Sequence, residues 1–264
     1  MTTKALDPVR VQASARQVSL SRVTYVELGK MFDTRSGFWL MSSIVIAALL
    51  STVATILFAP DAELTFYTFA EAIGFPMTVI LPIIALLSIT SEWTQRSGLT
   101  TFTLVPHRNW VILAKVIASV AVGVVSMLVA LAIGVVGNLV GTAITRTDRV
   151  WDVSVAHFLL IVLGSLLCLL TGTTFGILFR STPVALVAYF VYSLVLPTLF
   201  GILASSQERF LELQPWVDAS NAQAPLFDGS IAGDQWAHLA ATAVAWLLLP
   251  ALVGLRLIAR SEVR

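Results

Sequence analysis

Charge is what this chain has least of. Lysine and arginine together number 16 and aspartate and glutamate 15 among 264 residues, 12% in all, about half of the ~25% found in soluble domains. With 57% hydrophobic residues, the chain cannot clothe a water-facing surface, which excludes a soluble domain and leaves a polytopic membrane protein. The net charge of +1 supplies no broad field to attract nucleic acid, so none is expected as a partner. Cysteine occurs once, at Cys168; that excludes an intrachain disulfide and reads as a small buried hydrophobe. Histidine occurs three times, and neither His157 nor His238 has a second ligand at metal-binding spacing, so both read as interfacial hydrogen-bonders and no metal is expected. A removable leader is not expected, because the first apolar run begins at Phe38 and is long enough to be a full span. Internal repeats, low-complexity tracts and linkers are absent, which points to one domain.

Where the apolar residues fall is regular. A helix rises ~1.5 Å per residue and needs ~20 apolar residues to cross ~30 Å of hydrocarbon. Six windows qualify, at about 38–59, 72–91, 113–142, 155–179, 184–204 and 237–258. The second contains Pro76 and Pro82 and is expected to kink; the third is long enough that it must tilt or project. Six crossings put both termini on one side. On that side fall 13 of the 16 basic residues, against Arg146, Arg149 and Arg209 opposite. The positive-inside bias therefore predicts cytoplasmic termini. Ten of the 15 acidic residues divide the other way, among them Asp61, Glu63, Glu71, Asp218, Asp228 and Asp234 in the outer connections.

Ahead of the first span, residues 14–36 are periodic. At 100° per residue Val18, Tyr25, Leu28, Met31 and Phe32 share one arc, and Arg16, Arg22, Glu27, Lys30 and Asp33 the other. This predicts an amphipathic helix in the headgroup region, opened by a capping box of Ser14 with Gln17 or Thr24 with Glu27. The chain thus divides into a basic arm and interfacial helix over 1–36 and a six-span domain over 37–264. Small residues at four-residue spacing, Gly137 and Gly141, Gly172 and Gly176, Ser119 and Gly123, and Ser126, Ala130 and Gly134, predict close helix packing, chiefly within one subunit.

Further absences bear on the energy source. Pumps and ion-coupled carriers keep titrating groups inside the membrane, and none is expected within the six spans, where Asn138 is the main strongly polar side chain and Lys115 sits at a span end. A G-x-x-x-x-G-K-[ST] phosphate loop is missing, since Gly29-Lys30 lacks both the first glycine and the hydroxyl residue. Neither Gly-x-Ser-x-Gly nor paired carboxylates suggest hydrolysis, so the chain does not read as an enzyme. Uphill transport would need energy from another protein.

The polar interruption Ser91–Lys115, SEWTQRSGLTTFTLVPHRNWVILAK, fits that need. Ser91 can cap a short helix beginning at Glu92, Gly98 permits a turn, Pro106 ends the element, and Arg108 and Trp110 anchor the next span. The stretch from Glu92 to Arg108, with Lys115 seven residues on, resembles the loop between the second and third spans of ABC-2 type transporter permeases. There the order is a glutamate, a small or threonine-containing turn, a leucine, a proline, an arginine and a lysine. One departure stands out: many members place Gly-Thr about four residues after the glutamate, whereas here Gly98 is at the sixth position and Thr100 follows Leu99.

The resemblance extends over the whole chain, from the basic amphipathic helix through six spans to the outer loop at 205–236. That loop, with Pro215, Trp216 and Pro225, is similar to the family's half-buried re-entrant hairpin. It implies an all-α membrane protein forming half of an exporter in the bacterial plasma membrane. Two permease chains, identical or homologous, would each dock an ATPase subunit, two copies in all, which would carry the ATP and Mg. Glu92, Arg96, Gly98, Thr100, Pro106 and Arg108 would form the coupling loop over 92–110, and the N-terminal helix with Tyr25, Glu27, Lys30 and Phe32 would join that contact. No cofactor is expected on this chain. By residues alone, Glu92 and Arg96 could equally form an ordinary i,i+4 surface pair. A non-transporting scaffold or sensor that recruits a cytoplasmic partner is the other reading.

Overall fold

The computed structural model describes residues 19–94 and 108–260, and all regular structure among them is helical. Six helices are long and apolar enough to cross a membrane: Gly37–Phe58, Phe66–Trp93, Trp110–Thr145, Val155–Phe179, Thr182–Ser206 and Gln235–Ile258. They are called the first to sixth spans below, and they coincide with the six apolar windows to within a few residues at most ends. Helices suit such sequences because each satisfies its own backbone where no water is present. The face bearing the N-terminal helix and Arg260 is the terminal face; the other is the distal face.

The second span runs through the middle, packed against the first, third and fourth spans and the start of the fifth. Half of its most apolar window is buried inside the chain, against 6% for the fifth span, so the second is the axis of the bundle and the fifth lies at its edge. Pro76 and Pro82 both sit inside its continuous helix, Phe66–Thr94. The core along this axis is built from Ile73, Met77, Leu81 and Ala85, met by Ala118 and Val122 of the third span and Leu169 of the fourth. The third span's helix, Arg108–Thr145, has 38 residues, about 57 Å at 1.5 Å per residue, nearly twice the hydrocarbon thickness.

All four small-residue stripes face neighbours in the same chain. A Cβ on Gly172 would collide with the Pro82 backbone, so the fourth span meets the second backbone to backbone at that point. Gly176 lies against Ile89, Gly137 and Gly141 against Phe69, Gly134 against Ile73 and Phe66, and Gly123 against Leu169. Small residues thus bind the bundle together where lipid tails offer no hydrophobic gain from helix association.

The N-terminal helix spans Leu20–Asp33. Ser14, Arg16, Gln17 and Val18 lie outside the described residues, and Thr24 is no cap: its hydroxyl donates to the Leu20 carbonyl from inside the helix. A sharp corner joins this helix to the first span. Thr34 leaves the helical region with φ −91° and ψ 143°, and its hydroxyl accepts from the Gly37 N–H at 3.0 Å. Any side chain at Gly37 would strike the Met31 carbonyl, so the corner requires glycine.

The predicted arcs of that helix need correction. Val23, Glu27 and Met31, spaced by four, are its buried residues, whereas Tyr25 and Phe32 point outward, 77% and 51% exposed. Glu27 therefore faces the bundle and not the polar side. Its reason is a partner on the third span, described next.

Candidate functional site

Two regions carry polar chemistry, one at each face. At the terminal face four charged side chains from three helices converge. The Glu27 carboxylate receives Lys30 Nζ at 2.6 Å from its own helix and Lys115 Nζ at 2.5 Å from the third span. Glu92 Oε1, at the end of the second span, lies 3.2 Å from Lys115 Nζ and 3.5 Å from Lys30 Nζ. Glu27, Glu92 and Lys115 are almost fully buried, while Lys30 is half exposed. For Lys30, burial works to lower the pKa, but the hydrogen bond and charge of Glu27 with the charge of Glu92 outweigh it and raise the ammonium above its ordinary 10.5.

Two acids and two bases make this cluster neutral in sum. Buried charges are tolerated when each is paired, and removing one partner from such a set costs about 3–5 kcal/mol. The geometry ties three elements together: the N-terminal helix, the end of the second span and the start of the third. Glu92 and Lys115 flank the 95–107 segment. A cavity of about 330 Å³ lies beside them, bounded also by Met31, Thr34, Gly37 and Met41.

Contrary to the prediction, Glu92 does not begin a new helix, and the residues after Thr94 over which that helix would run lie outside the described residues. Ser91 and Glu92 belong to the last turn of the second span's helix, and the Ser91 hydroxyl donates back to the Ser88 carbonyl at 2.8 Å. Local capping lost to helix continuation because the apolar run before it is long. Arg96, Gly98, Thr100 and Pro106 lie outside the described residues, and Arg108 is the first residue of the third span's helix. The cluster brings together Glu27, Lys30 and Glu92, and leaves Tyr25 and Phe32 elsewhere. It adds Lys115, which spacing alone had put at a span end and not among the site residues. The sequence carries a signal for it: a lysine about two turns inside an apolar helix is rare without a buried acid.

At the distal face the chain between the fifth and sixth spans folds into a helical hairpin, Glu208–Val217 followed by Ala219–Phe227. Its second helix climbs beside the fourth span. Gln223 Oε1 accepts from Cys168 Sγ at 3.2 Å, Phe227 covers Gly164, and the Phe227 carbonyl lies 2.7 Å from His157 Nε2. Cys168 is 13 residues below Val155, so the hairpin descends about 20 Å along that span. The Trp246 indole donates to the Val217 carbonyl at 2.8 Å and fixes the tip at the middle of the sixth span, while Trp216 packs edge-on against His238 with ring centres 4.4 Å apart. Pro215 and Pro225 each sit in the last turn or two of their helix.

Asp218 forms the tip. It is 3% exposed, its Oδ1 accepts from the Ser220 and Asn221 N–H groups, and its Oδ2 accepts from Gln214 Nε2 at 3.1 Å. Glu92 and Lys115 lie within the bounds of their spans but near the ends, and Asp218 is buried although it belongs to none of the six. Asp218 belongs by composition to an outer connection; the inward turn that buries it was implied only by the resemblance to a re-entrant hairpin. Lys115 and Glu92 were counted as ends because the apolar windows stop short of the helices.

Above the tip is a cavity of about 420 Å³. Its floor carries Tyr189, Tyr192 and Trp246, and its walls include Phe75, Phe200 and Glu71. Tyr192 and Trp246 meet with ring centres 5.1 Å apart. Both belong to single π-helical turns, Val191–Val195 and Val244–Leu248, that come just ahead of Pro197 and Pro250. A proline lacks its N–H and crowds the carbonyl four residues back, and a widened turn relieves that crowding. Such turns often occur at functional sites, and here both face the cavity.

Asn138 is fully buried near the distal end of the third span, where its Nδ2 donates to the Val150 carbonyl at 3.2 Å while its Oδ1 has no partner. Val150 also accepts from the Phe66 N–H, and Asp152 accepts from the Tyr67 N–H at 2.7 Å, so the 146–153 connection caps the second span. Among the described residues no three histidine, cysteine or acidic side chains group as metal ligands.

No protein-family model matches this chain, and no curated protein matches it either.

Proposed function

We propose that this chain is the membrane-spanning permease subunit of an ATP-binding-cassette exporter, with both termini in the cytoplasm of a bacterial cell and a separate ATPase chain docked on the terminal face. The observation that carries the reading is the charge cluster. Glu92 and Lys115 sit at the two stems of the polar 95–107 segment, and Glu27 and Lys30 couple both stems to the N-terminal helix. A displacement of that segment by a partner is thereby passed to the second span, which is the axis of the bundle. Coupling of this kind works by differential contact energy in two states. The sparsely buried fifth span leaves a broad apolar face for lipid or for a second permease chain.

The test is co-purification in mild detergent. A separate ATPase chain is expected to be retained, and Glu92→Gln is expected to lower transport-coupled ATP hydrolysis while the helical fold persists. Full coupling in Glu92→Gln would remove the site assignment. A partner that binds without any nucleotide-dependent change in labelling of a cysteine placed at Ser206 would favour a scaffold.

Asp218 favours a second reading, an ion-coupled carrier, because a buried carboxylate at mid-depth is where a proton or cation would load. Its three hydrogen bonds account for it as a helix cap. Vesicles holding this chain alone separate the two: solute accumulation driven by a pH gradient and abolished in Asp218→Asn would establish the carrier.

A further inference from the structure

The distal cavity has no role in the coupling described above, and its lining is of an unusual kind for a gap between hydrophobic helices. Seven aromatic side chains border it along with three carboxylates, Glu71, Asp218 and Asp228, and no lysine, arginine or histidine does. Among the described residues no ion pair reaches any of the three acids. Asp218 lies buried at the floor, whereas Glu71 and Asp228 are exposed. The cavity's size, about 420 Å³, falls in the range of drug-sized ligand sites.

We propose that this cavity binds a monovalent organic cation with an apolar, partly aromatic body, its charge held between the carboxylates and the faces of Tyr192 and Trp246. Charge complementarity chooses the class. An anion would meet three like charges, and a neutral polyol would leave those charges uncompensated on mostly apolar walls. A divalent metal needs several oxygens converging on one point, and the three acids do not group as metal ligands. An organic cation is suited on both counts. Its positive charge gains from carboxylates and from aromatic faces within about 6 Å, and its body displaces water from Phe75 and Phe200.

The π-helical turns explain how the site is formed. Each widened turn inserts one extra residue before its proline, which places Tyr192 and Trp246 on the cavity side together. The hairpin tip then closes the floor through the Trp246 bond to Val217.

As a binding site the proposal stands without any statement about energy source; as the cargo class of the exporter it rests on the permease reading. The test uses the purified full chain in detergent, without ATPase or nucleotide. Equilibrium dialysis with labelled tetraphenylphosphonium is expected to show a saturable component that unlabelled phosphonium displaces and the isosteric anion tetraphenylborate does not. Combined Glu71→Gln and Asp218→Asn should weaken that component by at least about tenfold, the cost of a modest electrostatic loss. Tyr192→Leu should weaken it by about fivefold. Asn is as good a helix cap as Asp, so Asp218→Asn keeps the hairpin; should its melting temperature fall, exposed Glu71→Gln alone decides, with a loss of about threefold expected. Absence of a saturable component, equal competition by the borate, or unchanged binding in the carboxamide variants would overturn the proposal. Binding retained in a chain that couples to no ATPase would keep the site and remove the permease; coupling without binding would remove only the site.

Discussion

The two polar regions use the same residue types to opposite ends. At the terminal face, glutamates and lysines alternate in space, every charge is matched, and helices from three parts of the chain are fastened to one another. At the distal face the acids have aromatic rings and backbone amides for neighbours, and no basic side chain lines the cavity. A matched cluster is a joint: its energy depends on the helices staying in register. An unmatched one has attraction left over for something that is not part of the chain. On the readings proposed above, the first transmits movement and the second receives a ligand; they sit at opposite ends of the second span, which carries Glu92 at one end and Glu71 near the other.

The sharpest way to break the comparison is to unbalance the joint. Lys115→Met leaves the buried Glu27 and Glu92 with only the half-exposed Lys30 between them, and about 3–5 kcal/mol of stability should be lost. A fall in the melting temperature of the purified chain checks it, and Lys115→Arg should recover part of the loss. If Lys115→Met melts as the parent does, the cluster is not a joint. Gly37→Ala follows in size. A methyl there meets the Met31 carbonyl, so the corner must open at a cost of about 1–3 kcal/mol, read as faster proteolysis between the N-terminal helix and the first span.

At the distal face Asp218→Ala removes a helix cap and should cost about 0.5–2 kcal/mol, whereas Asp218→Asn should cost little. Equal losses in both variants would show that the charge, and not the cap, holds the hairpin, and would make the two regions alike.

Much of the architecture could be read from sequence, and the reason is physical. Span positions depend on local apolar content, which lipid enforces residue by residue, so windows such as 155–179 coincide with the helix itself. The stripes of small residues were legible for the same reason: close approach demands them wherever helices meet, as at Gly172. What could not be read was every feature set by a distant partner. Glu27 sits on the polar arc by period, yet it turns inward because Lys115, 88 residues away, waits there. Asp218 sits in a polar loop by composition; its inward fold was implied by the resemblance to a re-entrant hairpin and not by the residues alone, since Trp246 and Cys168, which hold it, are distant in sequence. The helix start at Glu92 failed differently: a good capping pattern was overridden by an apolar helix already running through it.

The smallest expected effect concerns alkaline pH at the terminal face. Lys30 is held above its ordinary 10.5 by Glu27 and Glu92 despite its partial burial. A base whose pKa is raised on folding binds its proton more tightly in the folded chain, so its contribution is complete below about pH 10.5 and fades as pH climbs through the raised value. Docking of the N-terminal helix should therefore be indifferent to pH between about 6 and 9 and loosen only in strong alkali, with the exposed half of Lys30 making the effect slight. Lys30→Arg, whose charge persists to higher pH, should abolish the alkaline loosening. Hydrogen exchange of the Leu20–Asp33 amides, corrected for intrinsic pH dependence, reads it directly. Loosening that begins near neutrality, or that survives in Lys30→Arg, would mean that the helix is held by something other than the Lys30 charge.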